Sequence, residues 1–170
     1  MHRSTSAPLW LLAAALASMS GAARAQSQTV TDTFQVRISV QGTCLVLSTT
    51  DIDFGTQVST TGSFSQTGTI RVQCTRDLPF TLGLNGGSTT GDVNARAMVN
   101  AGGVQIPYTL RRGAAAGSIW GNDSSNWYAG TGLGLGSAFE IALTVYATAT
   151  LAGNEPAGAY ADTVTATLTY

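Results

Sequence analysis

The segment from Val30 to Val40 alternates between apolar and polar residues at a period of two. Its even positions carry the apolar side chains of Val30, Phe34, Val36, Ile38 and Val40. Asp32 is the one polar residue on that face, and threonine, glutamine, arginine and serine occupy the other. This period predicts a β-strand with one apolar face. Burying five such side chains is worth on the order of 10 kcal/mol gross, so the strand must pair with a sheet edge.

The same period recurs along the chain, separated by glycine- and asparagine-rich turns. The predicted strands are Thr69–Thr75, Pro79–Leu84, Val104–Leu110, Phe139–Leu151 and Thr163–Tyr170. Pro107 lies inside one of them, which favours an edge position or a bulge. Because no long segment has a helical period, the pattern predicts an all-β sandwich or barrel.

The first 25 residues have the pattern of a secretory signal peptide. Arg3 precedes an apolar run from Ala7 to Met19, and Ala23-Arg24-Ala25 follows as a cleavage site. The alternative is a membrane anchor, but this run is short for a bilayer span. We expect cleavage after Ala25 and no membrane span in the mature chain, which would pass through the periplasm to the outside.

The charge balance and the histidine count exclude several functional classes. Of eight basic residues, all arginine, Arg3 and Arg24 lie in the leader, which leaves six against nine acidic residues and a net charge of −3. A nucleic-acid binder needs a basic face, so no nucleic-acid partner is expected. The single histidine, His2, also lies in the leader, which excludes the usual serine triads and histidine-ligated zinc sites. We therefore expect no enzyme, no metal and no cofactor.

Cys44 and Cys74 are the only cysteines. In a secreted chain such a pair suggests a disulfide, worth roughly 3–4 kcal/mol by restricting the unfolded chain. The alternatives are two free thiols or a redox pair, but the C-x-x-C spacing of redox pairs is missing.

Four other groups have possible chemistry, each with a simpler structural interpretation. Asp51 and Asp53 resemble a glycosidase carboxylate pair, but strand neighbours two apart lie on the same side of a cleft, so an exposed pair is favoured. Asn122–Ser124 has calcium-ligand oxygens but is also an ordinary loop. Gly132–Gly136 lacks the strand–turn–helix context of a phosphate loop. The aromatic residues Trp120, Trp127 and Tyr128 suit either a sugar-binding platform or packing beneath loops.

The C-terminal strand also permits two interpretations. Its apolar face consists of Val164, Ala166, Leu168 and Tyr170. A final strand ending in an aromatic residue is typical of outer-membrane barrels, although few segments here reach the length of their strands. The other interpretation is β-strand addition, in which a chaperone pairs with an exposed strand and alternate side chains fill pockets.

Several short motifs, in this order and spacing, resemble the spore coat protein U domain family, which includes pilins of archaic chaperone–usher systems. They are Cys44, Asp53-Phe54-Gly55, Val72-Gln73-Cys74, Arg96 with Met98, Tyr108-Thr109-Leu110, Trp120-Gly121, and Gly158 to Thr163 continuing to Tyr170. The resemblance covers essentially the whole mature chain. Arg111-Arg112 departs from it, since related chains often carry an aromatic or acidic residue there.

The resemblance implies an incomplete immunoglobulin-like sandwich over residues 43–170, with residues 26–42 as an N-terminal donor segment. A periplasmic chaperone would first fill the groove beside the C-terminal strand. At an outer-membrane usher, Val30–Val40 of the next like subunit would replace the chaperone and build a surface fibre that supports adhesion or biofilm formation. The alternatives are that this strand folds back into its own domain, or that the chain is a monomeric secreted adhesion or carbohydrate-binding module.

Overall fold

Residues 39–170 fold into two β-sheets packed face to face. The structure is a computed structural model, described here for residues 26–170, so the predicted signal peptide lies outside the described residues. Chain contacts divide the protein at Ile38 into two units, and residues 26–38 of the first unit contain no helix or strand. No helix within residues 26–170 has the length and apolarity needed to cross a bilayer.

The larger sheet has five strands and the smaller sheet has three. In chain order the elements are β1 Cys44–Thr49, β2 Gly62–Cys74, β3 Pro79–Leu84, α1 Gly87–Thr90, β4 Ala97–Val99, β5 Gln105–Arg112, β6 Tyr128–Thr131, a 3-10 helix Ser137–Phe139, β7 Ile141–Leu151 and β8 Ala166–Thr169. The strand orders are β1-β2-β7-β5-β4 and β6-β3-β8. The prediction of an all-β sandwich is therefore confirmed.

The antiparallel ladder between β2 and β7 is the longest strand pairing in the larger sheet. It runs from Gly62 opposite Leu151 to Val72 opposite Ile141. One face of each strand enters the core while the other carries serine and threonine, as in Ser65, whose hydroxyl lies 3.1 Å from that of Thr148. The strand β2 begins seven residues before the sequence predicts, because Ser63, Ser65 and Thr67 alternate with only one large apolar residue, Phe64.

Pro107 of β5 lies just before the point where hydrogen-bond pairing with β7 begins. The amide of Tyr108 donates to the Arg96 carbonyl oxygen at 3.0 Å, on the β4 side of β5. Since successive strand amides point to opposite sides, the missing amide of Pro107 faces β7, where pairing begins only at Tyr108. The strand is thus an edge on that side at Pro107.

The core fills the space between the sheets. Its buried members are Cys44, Ile70, Val72, Cys74, Phe80, Leu82, Leu84, Ile106, Tyr108, Leu110, Trp120, Leu143, Val145, Ala147, Ala149 and Leu151. Trp120 is only 1% exposed, and its indole Nε1 donates to the Leu82 carbonyl oxygen at 2.8 Å. This buried donor is satisfied, as a tryptophan inside a core requires.

A disulfide joins Cys44 to Cys74, which confirms the predicted pairing. The two residues lie directly opposite each other in the β1–β2 ladder, with Cα atoms 4.1 Å apart. Next to this bond, the amide of Thr75 donates to the Thr43 carbonyl oxygen at 2.9 Å, and the amide of Thr43 donates to the Thr75 hydroxyl at 3.0 Å. The point at which the chain enters the domain is therefore fixed to the end of β2.

Candidate functional site

The two sheets leave one side of the core uncovered. Among the described residues, β1 pairs only with β2, and β8 pairs only with β3, so each is an unpaired edge of its sheet. Two adjoining cavities of about 600 and 460 Å³ open along this side. Because both are lined by Ile52, Phe54, Met98 and Tyr160, we treat them as one feature and call it the edge groove.

The floor of the edge groove is the core itself. Buried side chains from both sheets line it, namely Ile70, Leu84, Ile106, Tyr108, Leu110, Val145, Ala149 and Leu151. A sandwich normally covers such side chains with a further strand, whose alternate side chains complete the core. The floor is therefore suited to an added strand with one apolar face.

One wall is the segment that follows β1. Ile52 and Phe54 are half-buried there and line the groove, while Asp51 and Asp53, which alternate with them, are exposed. This wall passes close over β2 at Gly68, where a Cβ atom would lie 2.8 Å from the Ile52 side chain and 3.0 Å from the Thr50 carbonyl oxygen. Glycine at this position allows the wall to approach the sheet.

The opposite wall runs from Pro156 into β8. Ala161 exchanges two backbone hydrogen bonds with Val99, at 2.9 and 3.1 Å, and Ser88 donates its amide to the Thr163 carbonyl oxygen at 2.9 Å. Val164 and Ala166 line the groove, and Leu168 packs against the core. These contacts hold the wall although only Ala166–Thr169 of it is a strand.

Asp162 anchors this wall to the domain. Its carboxylate accepts hydrogen bonds from the hydroxyl of Tyr108 at 2.7 Å, from that of Ser88 at 2.8 Å, and from the amide and hydroxyl of Thr89 at 3.0 Å. Burial alone would raise the pKa of Asp162, but these donors together lower it below its ordinary value. Burial and the bond to Asp162 raise the pKa of Tyr108, which stays protonated and remains a donor.

Arg96 fixes the loops beneath the same wall. Arg96 is only 1% exposed, and its guanidinium donates to the carbonyl oxygens of Leu84, Asn85 and Trp120 at 2.6–2.9 Å, and to that of Val93 at 3.2 Å. Desolvation lowers its pKa, although nearby Tyr108 and Asp162 favour the charged form. One side chain thereby joins the end of β3 to the residues around Trp120.

Only some of the residues that form this wall were predicted from the sequence. Val164, Ala166 and Leu168 occupy the predicted apolar face, but Tyr170 follows the end of β8 and is 60% exposed. The predicted strand Thr163–Tyr170 is thus reduced to four residues. Sequence reasoning missed Ile52, Phe54, Met98 and Tyr160, although the alternation of Ile52 and Phe54 with two aspartates was a usable signal.

The residues predicted to form the donor strand are exposed. The side chains of Val30, Phe34, Val36, Ile38 and Val40 are 79–93% accessible, and no strand is assigned before Cys44. A donor strand forms its ladder only with a partner, so its role stays a prediction.

The sugar-binding platform is wrong for Trp120, because that side chain is buried in the core. Tyr128 is half-buried, with its ring 6.0 Å from Phe80 and 6.3 Å from Trp120. Its packing supports the alternative prediction, an aromatic cluster beneath loops. Trp127 is half-buried as well.

The other candidate groups are committed to local structure. Asp123 accepts bonds from the amide and hydroxyl of Ser125 and from the side-chain amide of Asn126, and the Ser125 bonds in particular lower its pKa. Gly132 donates its amide to the Leu78 carbonyl oxygen at 2.8 Å. Within residues 26–170, no three histidine, cysteine, aspartate or glutamate side chains are grouped as metal ligands.

The sequence model of the Spore Coat Protein U domain family matches residues 30–167 of this chain. The chain belongs to the Spore Coat Protein U domain family. The resemblance inferred from its short motifs is therefore confirmed. The match includes the exposed N-terminal segment as well as the sandwich of this Spore Coat Protein U domain.

A solved structure shares the fold of the Spore Coat Protein U domain. It is the crystal structure of the CsuC–CsuE chaperone–tip adhesion subunit pre-assembly complex from the archaic chaperone–usher Csu pili of Acinetobacter baumannii. The TM-score is 0.56 at 22% sequence identity, over 77% of this chain and 40% of that chain. The present chain thus spans less than half of the solved chain. No curated protein matches the sequence.

Proposed function

We propose that the chain is a structural subunit of a secreted surface fibre, assembled by donor-strand exchange. The Val30–Val40 segment of one copy fills the edge groove of the next. The observation that carries this proposal is an apolar core left open between two strand edges, in a chain whose own alternating segment is exposed. The groove exposes core side chains beside β1 and β8, and the segment has an apolar face that can cover them.

The assembly is a fibre because donor and groove are different surfaces. A contact between unlike surfaces does not close on itself unless its rotation forms a ring, so it propagates from copy to copy. Burying the five apolar side chains is worth on the order of 10 kcal/mol gross, and main-chain hydrogen bonds add to this. Asp32 is the position of the donor that fits the apolar floor least.

An open groove is also a hazard before assembly. Exposed edges and an uncovered core favour aggregation, so a periplasmic chaperone that fills the groove in transit is part of the proposal. An outer-membrane usher would exchange the chaperone for the next subunit. The pre-assembly complex of the similar Csu subunit supports this route. The finished fibre would serve adhesion or biofilm formation at the cell surface.

The test compares residues 26–170 with residues 41–170 by size-exclusion chromatography and thermal melting. The truncated form is then titrated with a peptide of residues 29–42, in parallel with a control peptide carrying Phe34→Asp and Ile38→Asp. We expect the native peptide to raise the melting temperature by many degrees and the control to have little effect. A stable full-length monomer that unfolds on truncation beyond rescue by the peptide would show that the strand belongs to its own fold.

A further inference from the structure

A cluster of exposed apolar side chains lies in the loop between β6 and β7. Leu133, Leu135 and Phe139 are 52%, 47% and 37% exposed. The guanidinium carbon of Arg76 lies 5.7 Å from the centre of the Phe139 ring. We call these four residues the loop patch.

The loop that carries the patch is held in place rather than loosely tethered. The amide of Gly134 donates to the Cys74 carbonyl oxygen at 3.0 Å, and that of Asp77 donates to the Gly132 carbonyl oxygen at 2.9 Å. The Gly136 amide donates to the buried side-chain oxygen of Gln73 at 3.3 Å. Three exposed apolar side chains on one fixed loop make this surface a candidate for an interaction with another protein.

The loop patch lies beside the point where the N-terminal segment joins the domain. The loop is bonded to the turn between β2 and β3, and Thr43 is bonded to Thr75 in that same turn. A Cβ atom on Gly42 would lie 3.1 Å from the Leu78 side chain. The patch and the base of the donor segment therefore share one end of the domain.

The linker between donor and domain is too short to separate two assembled subunits. Only Gln41 and Gly42 stand between Val40 and Thr43. Three residue steps span at most about 10 Å. When Val40 lies in the groove of another copy, that groove is therefore within about 10 Å of Thr43, which is hydrogen-bonded to the turn between β2 and β3.

From this distance we infer that the loop patch is a second contact between neighbouring subunits, which packs on the body of the copy that accepts the donor segment. The inference rests on the proposed function, because it needs Val40 in another copy's groove. Burying the exposed parts of the patch adds apolar area that the donor strand does not supply. It also restricts the angle between neighbouring domains, because each subunit is then held at two points.

The test separates the patch from the donor strand. The acceptor is full-length residues 26–170 with Phe34→Asp and Ile38→Asp, which disable its own donor segment, immobilised on a sensor surface. The binding partners are otherwise native chains carrying Leu135→Ser, Phe139→Ser, or the control Thr144→Ser on the exposed outer face of β7. Two quantities are measured for each variant. One is its dissociation rate from the acceptor, and the other is the affinity of its own groove for the peptide of residues 29–42.

We expect Leu135→Ser and Phe139→Ser each to speed dissociation about fivefold, from the apolar area lost, while peptide affinity stays within about twofold. Unchanged peptide binding shows that the variants are folded. If both variants dissociate at the rate of Thr144→Ser, the second contact is refuted and donor-strand exchange is unaffected. If native chains and peptide alike fail to bind the acceptor, the proposed function itself fails.

Discussion

Replacing Arg96 by methionine tests whether the buried guanidinium stabilises the domain by joining the end of β3 to the residues around Trp120. Methionine fills much of the same volume but donates no hydrogen bond. The bonds to the Leu84 and Trp120 carbonyl oxygens are buried, so water does not replace them. Each buried acceptor left without a donor costs about 1–3 kcal/mol, and removing a desolvated charge offsets part of that cost. We expect Arg96→Met to lower the free energy of unfolding by about 3 kcal/mol.

The assay is urea denaturation of residues 26–170 followed by circular dichroism. The matched control is Arg71→Met, since Arg71 is half exposed and forms a single ion pair with Glu140 at 3.3 Å. Exposed pairs of this kind contribute about 0–1 kcal/mol. If Arg96→Met were no more destabilising than the control, the carbonyl oxygens would not depend on the guanidinium, and the anchoring role of Arg96 would be refuted.

Three further variants or conditions probe the groove wall that Asp162 anchors and the opposite edge. Asp162→Asn should destabilise the domain by about 2 kcal/mol at pH 7, through weakened bonds to a charged acceptor. Because the folded pKa of Asp162 is lowered, its contribution is present above the unfolded pKa near 4 and is lost as the pH falls through the folded value. The melting temperatures of the native protein and of Asp162→Asn should therefore converge at acid pH. A difference between them that does not change with pH would contradict this. Reducing the Cys44–Cys74 bond should cost roughly 3–4 kcal/mol, measured by urea denaturation with and without reductant against a Cys44→Ser, Cys74→Ser protein that shows no reductant effect. Gly68→Ala should push Ile52 into the groove and weaken binding of the residue 29–42 peptide about tenfold by calorimetry, whereas the outer-face variant Thr69→Ala should bind normally.

The sequence predicted the strands whose apolar face is continuous. Phe139–Leu151 differs from the observed β7 by two residues, because alternate side chains from Leu143 to Leu151 enter the core. The disulfide was predicted from two cysteines in a chain with a predicted leader sequence. Pro79–Leu84 is the observed β3 at both ends.

The groove was predictable only where an amphipathic strand formed part of it. Val164 and Ala166 have that pattern, but Met98 and Tyr160 come from short or irregular segments whose contacts depend on tertiary packing. The burial of Arg96 was not predicted, and the physical reason is clear. An arginine between Ala95 and Ala97 has no local signal for burial, because the carbonyl oxygens that satisfy it come from residues 84, 85, 93 and 120.

The position of the disulfide has a mechanical consequence. A pull on the N-terminal segment reaches Thr43 and then the covalent bond between Cys44 and Cys74 before it can peel β1 from its neighbour. The load passes directly to the end of β2, which pairs with β7 from Gly62 to Val72. The 29 residues between the two cysteines cannot be drawn out as an extended chain while this bond is intact. Under load the oxidised domain resists extension through its longest ladder, whereas the reduced domain can unzip from its first strand.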